Sequence, residues 1–311
     1  MSRTSPKSSV SSVPSNFVKK HAPWLYAFWK FSRPHTIIGT SCSVLGMYVI
    51  AAANQSSFPS SFLFPLIACL CGNVYIVGLN QLEDVAIDRI NKPHLPLASG
   101  EFSRSQGVAI VAITGILAIL LAALQGQYLL GMVGLSLAIG TAYSLPPIRL
   151  KRFPFWASVC IFSVRGAIVN LGLFLHFNNG FPIPANVWAL TLFVLVFTFA
   201  IAIFKDVPDM EGDRQYNIST FSLRVGKKAV FSLSRWVLTA CYLGVVAAAF
   251  WLPLVNAPFL IVSHLILVGV LWLRSQKVDL QDPQEVAKFY QFIWKMFFLE
   301  YLLFPIACLL H

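Results

Sequence analysis

Long apolar runs separated by short polar breaks fill almost the whole chain, and this pattern predicts its elements. Stretches at about 36–54, 61–82, 108–124, 128–145, 155–177, 185–204, 229–251, 254–273 and 289–310 each approach the length needed to cross about 30 Å of hydrocarbon at 1.5 Å per helical residue. The breaks at Gln125-Gly126-Gln127 and Leu252-Pro253 are the shortest, so two pairs of runs are nearly continuous. The expected fold is an all-α integral membrane protein with nine transmembrane helices, occupying residues 29–311 behind a tail at 1–28. That tail is Ser-rich, basic and free of acids, which superficially suits an organelle transit peptide. Trp24, Tyr26, Phe28 and Trp29 instead make its latter part read as an interfacial lead-in helix after a flexible start.

Composition agrees with the pattern. The chain is 57% hydrophobic and only 11% charged, whereas soluble domains carry about 25% charge. Charge placement adds an orientation. Basic residues fall in the N-terminal tail and in the loops after helices 2, 4, 6 and 8, while the alternate loops contain no Lys or Arg. Only Arg165, Arg235 and Lys295, of 23 basic residues, lie within the spans. The positive-inside rule then places the N-terminus in the cytoplasm and His311 on the opposite side. The net charge of +11 therefore reports topology, and its dispersal over five segments argues against a nucleic-acid partner. Cys42, Cys69, Cys71, Cys160, Cys241 and Cys308 all sit inside apolar runs and read as packing residues.

Against this background the acids stand out, because seven of the 12 occupy two short stretches at the ends of apolar runs. The first is Asn80-Gln-Leu-Glu83-Asp84-Val-Ala-Ile-Asp88, followed by Arg89; the second is Lys205-Asp206-Val-Pro-Asp209-Met-Glu211-Gly-Asp213, followed by Arg214. Carboxylates are costly near a bilayer, so two matched clusters at membrane edges imply a function. On a helix Asn80, Asp84 and Asp88 share one face, with Asn73 extending it deeper, and Asp206, Asp209 and Asp213 share another. Facing clusters of this kind suit a hard cation such as Mg²⁺, which binds through a few carboxylates together with substrate phosphates. Solvated helix ends with ordinary salt bridges explain one cluster but two poorly. Arg89, Lys92, Lys205 and Arg214 are candidates to neutralise diphosphate oxygens, as are Tyr143 and Arg149 at the end of the fourth helix. The loops after each cluster are long and read as lids or binding segments.

The strings Asn80-QLEDVAIDRINKPHLPLASGEFS, Gly140-TAYSLPPIRLKR and Phe204-KDVPDMEGDRQYNISTFSLRVGKK resemble the UbiA superfamily of intramembrane aromatic prenyltransferases. The likeness runs from about Trp29 to the C-terminus and is nearest to the cyanobacterial type of homogentisate phytyltransferases in tocopherol (vitamin E) synthesis. It implies Mg²⁺ held by Asn80, Asp84, Asp88, Asp209 and Asp213 with Asp206 nearby, Asp84, Asp88, Asp209 and Asp213 being catalytic. It also implies prenyl diphosphate and homogentisate as substrates, a bacterial inner or thylakoid membrane, and a site facing the cytoplasm. Geranylgeranyl or solanesyl transfer to homogentisate shares the motifs and stays open. Lys30 and Arg33 are similar to the family's basic pair before the first helix, which positions the aromatic acid. Arg165, inside the fifth helix, stands between two roles, holding that acid's carboxylate or forming a structural ion pair.

His176 and His264 have no carboxylate at catalytic spacing and read as structural, and some of the 26 Phe are expected to line the cavity, one of them as its floor. No obligatory protein partner is evident. An ion-coupled transporter is the rival of a different class, but such carriers place carboxylates near the bilayer midplane, whereas these lie at one edge. An assembly factor docking a soluble partner is the third reading. Mg²⁺-dependent release of diphosphate separates the enzyme from both.

Overall fold

The computed structural model describes residues 19, 21–55, 61–205, 207, 210 and 221–311. The second acidic stretch from Asp206, through Asp209, Glu211 and Asp213 to Arg214, lies outside the described residues; Lys205 is within them. No strand occurs among the described residues. Helix α1 (Pro23–Phe31) leads into α2 (Pro34–Gln55) and α3 (Leu63–Glu83), which is followed by the short α4 (Val85–Asn91) and α5 (Pro96–Ser99). Next come α6 (Arg104–Leu124) and α7 (Gln127–Ser144). α8 (Pro154–Phe162) and α9 (Val169–Phe177) are joined by a π-helical turn at Ser163–Ile168. The chain continues through α10 (Ala185–Phe204), α11 (Phe221–Val225), α12 (Lys227–Ala248) and α13 (Ala257–Ser275) to α14 (Pro283–Leu309).

Among the described residues, eight helices are long and apolar enough to cross a membrane, with α8, the π turn and α9 counted as one rod at Pro154–Phe177. α7 fills the fourth predicted segment but is not one of the eight, because Gln127, Tyr128, Tyr143 and Ser144 shorten the apolar part of its 18 residues. The outer surface is that of a protein solvated by hydrocarbon: on α6, Ile113, Ile116, Leu120 and Leu124 are each more than half exposed. Facing inward, α3 packs on α6, α2 on α14, and α10 on α12. Fully buried Phe174, Phe197, Phe204, Phe297 and Phe304 belong to one large core. A smaller core of Ala27, Phe31, Val74, Leu82, Leu97 and Phe102 pins α1 and α5 to the end of α3. Start signals fix the polar loops. Ser103 and Gln106 form a reciprocal capping box at the head of α6, so the connection from α3 ends there.

One expectation needs correction. His264 does have a carboxylate partner: its Nε2 lies 3.2 Å from Glu300 Oε1, and both side chains are wholly buried, joining α13 to α14. Thirty-six residues separate them, and Glu300 sits within an apolar run, so only the packing of the two helices reveals the pair. The His176 ring lies tilted against that of Phe177, with centroids 5.1 Å apart.

Candidate functional site: an acid- and base-lined cavity

The first acidic cluster is built on a helix that breaks without losing its register. α3 ends at Glu83, Asp84 departs from helical geometry with φ −112° and ψ 15°, and α4 begins at Val85. The Asp84 N–H still donates to the Asn80 carbonyl, and the Asp88 N–H to the Asp84 carbonyl. The predicted continuous face is therefore bent at Asp84, yet Asn80, Asp84 and Asp88 all line the same cavity. Asp88 is nearly buried, with 5% of its surface exposed.

The cavity has a volume of about 1760 Å³. Along α3 it runs from Cys69 to Asp84, about 22 Å at the helical rise, from apolar depth to charged end. Met132, Val133 and Leu137 of α7 give the depth an apolar wall. Lys92, Tyr143, Arg149 and Lys205, all named as diphosphate candidates from sequence, line it as well. Arg89 does not: it is exposed and absent from the lining, because the residue after Asp88 on α4 is rotated off the Asp84–Asp88 face. Arg214 lies outside the described residues.

Opposite charges interlock at the mouth. Asp84 Oδ1 accepts from Lys151 Nζ at 2.7 Å and from Arg149 Nη2 at 3.2 Å, while Oδ2 accepts from Asn80 Nδ2 at 3.1 Å. Burial pushes the Lys151 ammonium below its ordinary pKa, and contact with Asp84 acts the other way. Arg33 Nη2 donates to Asn80 Oδ1 at 3.4 Å, which ties this arginine to the acidic face. Both Arg33 (φ 53°) and Arg149 (φ 40°) hold left-handed backbone, an uncommon conformation for a side-chain-bearing residue that clusters at functional sites. Lys30 donates to Glu101 and to the His94 carbonyl, fastening α1 to the loop between α4 and α6. Burial, aided by Lys30, Lys92 and Arg33, lowers the pKa of His94. Asn73 Nδ2 donates to Thr36 Oγ1 at 3.0 Å and also lines the cavity.

Arg165 comes from the π-helical turn, a local widening and underwinding of the helix, and its side chain lines the cavity. Its guanidinium lies 5.2 Å from the Trp294 ring centroid and 5.7 Å from that of Phe297, and it makes no ion pair among the described residues. Two glycines permit this. A Cβ at Gly166 would come within 2.6 Å of the Leu195 Cα, a backbone atom, so that position has no room for a side chain, and one at Gly39 would come within 2.9 Å of Arg165 Nη1 and push the guanidinium aside. Among the described residues the aromatic lining is Tyr26, Trp29, Tyr143, Tyr290 and Trp294, with no Phe. The expected Phe floor is thus replaced by aliphatic residues, and the Phe side chains pack between helices or face outward.

Lys151, Trp294, Tyr290, Glu101 and His94 are cavity residues that the sequence did not single out. Lys151 was hidden in the basic triplet Arg149-Leu-Lys151-Arg152, read as a topology marker. Asn80, Asp84 and Asp88 supply an oxygen-only donor set, which suits a hard divalent cation. No group of three His, Cys, Asp or Glu converges at metal-binding range among the described residues, so this cluster by itself is less than a full coordination shell.

Residues 40–296 match the UbiA prenyltransferase family. The chain is 55% identical over 295 residues to homogentisate phytyltransferase of a Synechocystis species, covering 91% of this chain and 96% of that protein. It is 38% identical over 295 residues to homogentisate geranylgeranyltransferase of Triticum aestivum, covering 90% and 72% respectively. Its fold is similar to that of a solved UbiA homolog from Archaeoglobus fulgidus bound to GPP and Mg²⁺, with TM-score 0.59, 15% identity, and coverage of 92% of this chain and 100% of that one.

Proposed function

The chain belongs to the UbiA prenyltransferase family, and from that premise we propose that it transfers a phytyl group from phytyl diphosphate to homogentisate, with loss of diphosphate and CO₂. The product is 2-methyl-6-phytyl-1,4-benzoquinol, an intermediate of tocopherol synthesis. The observation that carries this reading is one cavity that runs about 22 Å along α3 from an apolar depth to a charged mouth, of the same order as the about 20 Å of an extended C20 prenyl chain by comparable carbon-chain reach.

Each part of the cavity has a task. Asn80, Asp84 and Asp88 would hold a divalent ion, Mg²⁺ in this reading, together with Asp206, Asp209 and Asp213 from the stretch outside the described residues. When bound, that ion draws electron density from the diphosphate and stabilises its departure. Lys92, Arg149 and Lys205, with Arg214, neutralise the charge that grows on the leaving oxygens. Departure leaves an allylic carbocation, and the aromatic rings of Tyr143 and Tyr290, both in the cavity lining, offer π electrons to its positive charge. Arg165 holds the carboxylate of the aromatic acid, with Lys30 and Arg33 on the route in. Attack by the electron-rich ring forms the new C–C bond, the attacked ring carbon gives up its proton, and the side chain loses CO₂ and takes up a proton to become the methyl group.

The decisive experiment supplies homogentisate and a panel of prenyl diphosphates to the purified protein with Mg²⁺ and identifies products by mass. Expected is a decarboxylated C20 adduct, with phytyl preferred over geranylgeranyl. Rapid transfer onto 4-hydroxybenzoate with none onto homogentisate overturns the acceptor assignment.

The charged mouth faces the cytoplasm in this reading, with nine spans in one domain at 29–311. Positive charge flanks that end in every loop. Reporter fusions after Gln55, Gly100, Gln127 and Lys151 are expected to alternate outside, inside, outside, inside. Two successive fusions on one side break the nine-span topology.

A further inference from the structure

Both oxygens of Asp84 accept hydrogen bonds from the chain's own groups. Lys151 and Arg149 both donate to its Oδ1, at 2.7 and 3.2 Å, and Asn80 donates to its Oδ2 at 3.1 Å. The Lys151 side chain is only 11% exposed and that of Asp84 15%, so the attraction is weakly screened. Together the ammonium and the guanidinium bring to this carboxylate the same two positive charges as a divalent ion. They occupy Oδ1, one of the two oxygens by which such an ion could be held.

The two cations differ in freedom. Arg149 is set by a left-handed backbone (φ 40°) at the start of a short 3₁₀ turn, Leu150–Arg152. Lys151 lies within that turn and carries a compact charge on a flexible four-carbon stem. A polyanion entering the mouth attracts the ammonium away from Asp84 and so exposes Oδ1. We propose that Lys151 is a placeholder for the metal: it holds the Asp84 carboxylate against free divalent cation and yields it when a diphosphate arrives. This rests on the proposed use of Asp84 as a metal ligand and adds to it an order of assembly. Metal and diphosphate then bind with positive coupling, and each raises the other's affinity by the same factor. Lys151 is a positioning residue in this scheme, acting through Asp84.

The test reads metal binding rather than turnover. Full-length protein in detergent is titrated with Mn²⁺, free ion being followed by electron paramagnetic resonance, with and without inorganic pyrophosphate, whose own complexation of Mn²⁺ is measured separately. In wild type, pyrophosphate is expected to tighten Mn²⁺ binding about tenfold or more, the effect of one opposite charge at contact distance. Lys151→Met is expected to bind Mn²⁺ about tenfold more tightly without pyrophosphate, with the coupling reduced to what direct attraction between Mn²⁺ and pyrophosphate supplies. Lys151→Arg should restore wild-type coupling, which a merely structural lysine would not require. Lys151→Gln replaces the Met variant if that protein is not monodisperse.

Unchanged or weaker Mn²⁺ binding in the neutral variant overturns the placeholder role. If wild type still prenylates homogentisate in that case, the functional reading survives it. No prenylated product from wild type with any aromatic acid overturns the functional reading itself.

Discussion

Replacing Asp84, Asp88, Asp209 or Asp213 by Asn is expected to lower prenyl transfer by about 10²–10³-fold or more each, with the protein still inserted and monodisperse. Asn keeps the shape of the side chain and removes one anionic oxygen, so the loss falls on cation affinity and on neutralisation of the leaving diphosphate together. Asp84→Asn has a second consequence, since Lys151 and Arg149 lose their shared acceptor charge. Asp88→Asn, on α4 and nearly buried, removes a carboxylate without disturbing those two cations. A chelator is expected to abolish activity in wild type and Mg²⁺ to restore it. Rates near wild type in any two of the four variants would make the clusters structural.

Arg165→Met is expected to raise the KM for homogentisate about 10–100-fold, the range for losing a charge-assisted hydrogen bond of about 1.5–3 kcal/mol, and to leave the KM for the prenyl donor within about twofold. Methionine is chosen because it fills the space between Trp294 and Phe297 and retains contact with both rings. A packing defect would therefore be small, and the effect would isolate the guanidinium. The variant should also lose its preference for the free acid over the methyl ester. An unchanged acceptor KM removes Arg165 from carboxylate recognition and leaves it as a cation packed on aromatic faces.

Part of this site was legible because its signals are local. The spacing of Asn80, Asp84 and Asp88 places them on one helical side whatever surrounds them, and the bend at Asp84 preserves that side because the i to i−4 hydrogen bonds continue through it. Arg165 was conspicuous as a charge inside an apolar run. Helix ends were less legible. Hydropathy sees where a helix meets hydrocarbon, not where it starts, so the last helix was placed at 289 although Asp282 caps it and Pro283 opens it. Arg104 likewise begins α6 four residues before the apolar run, through the Ser103 cap.

The sequence by itself determined the class, the approximate spans and the family, because apolar length, charge alternation and short-range spacing are properties of neighbouring residues. Only the tertiary structure decided which faces meet. Lys151 reaches Asp84 across 67 positions, Glu300 finds His264 across 36, and Arg165 comes to rest on Trp294 from another helix altogether. It also turned Arg89 out of the cavity and left the lining without a Phe among the described residues. The physical reason is rotation about the helix axis. Each helix can present any of its sides to the bundle, and the choice is set by interhelical packing, such as the contact that leaves no room for a side chain at Gly166 beside Leu195.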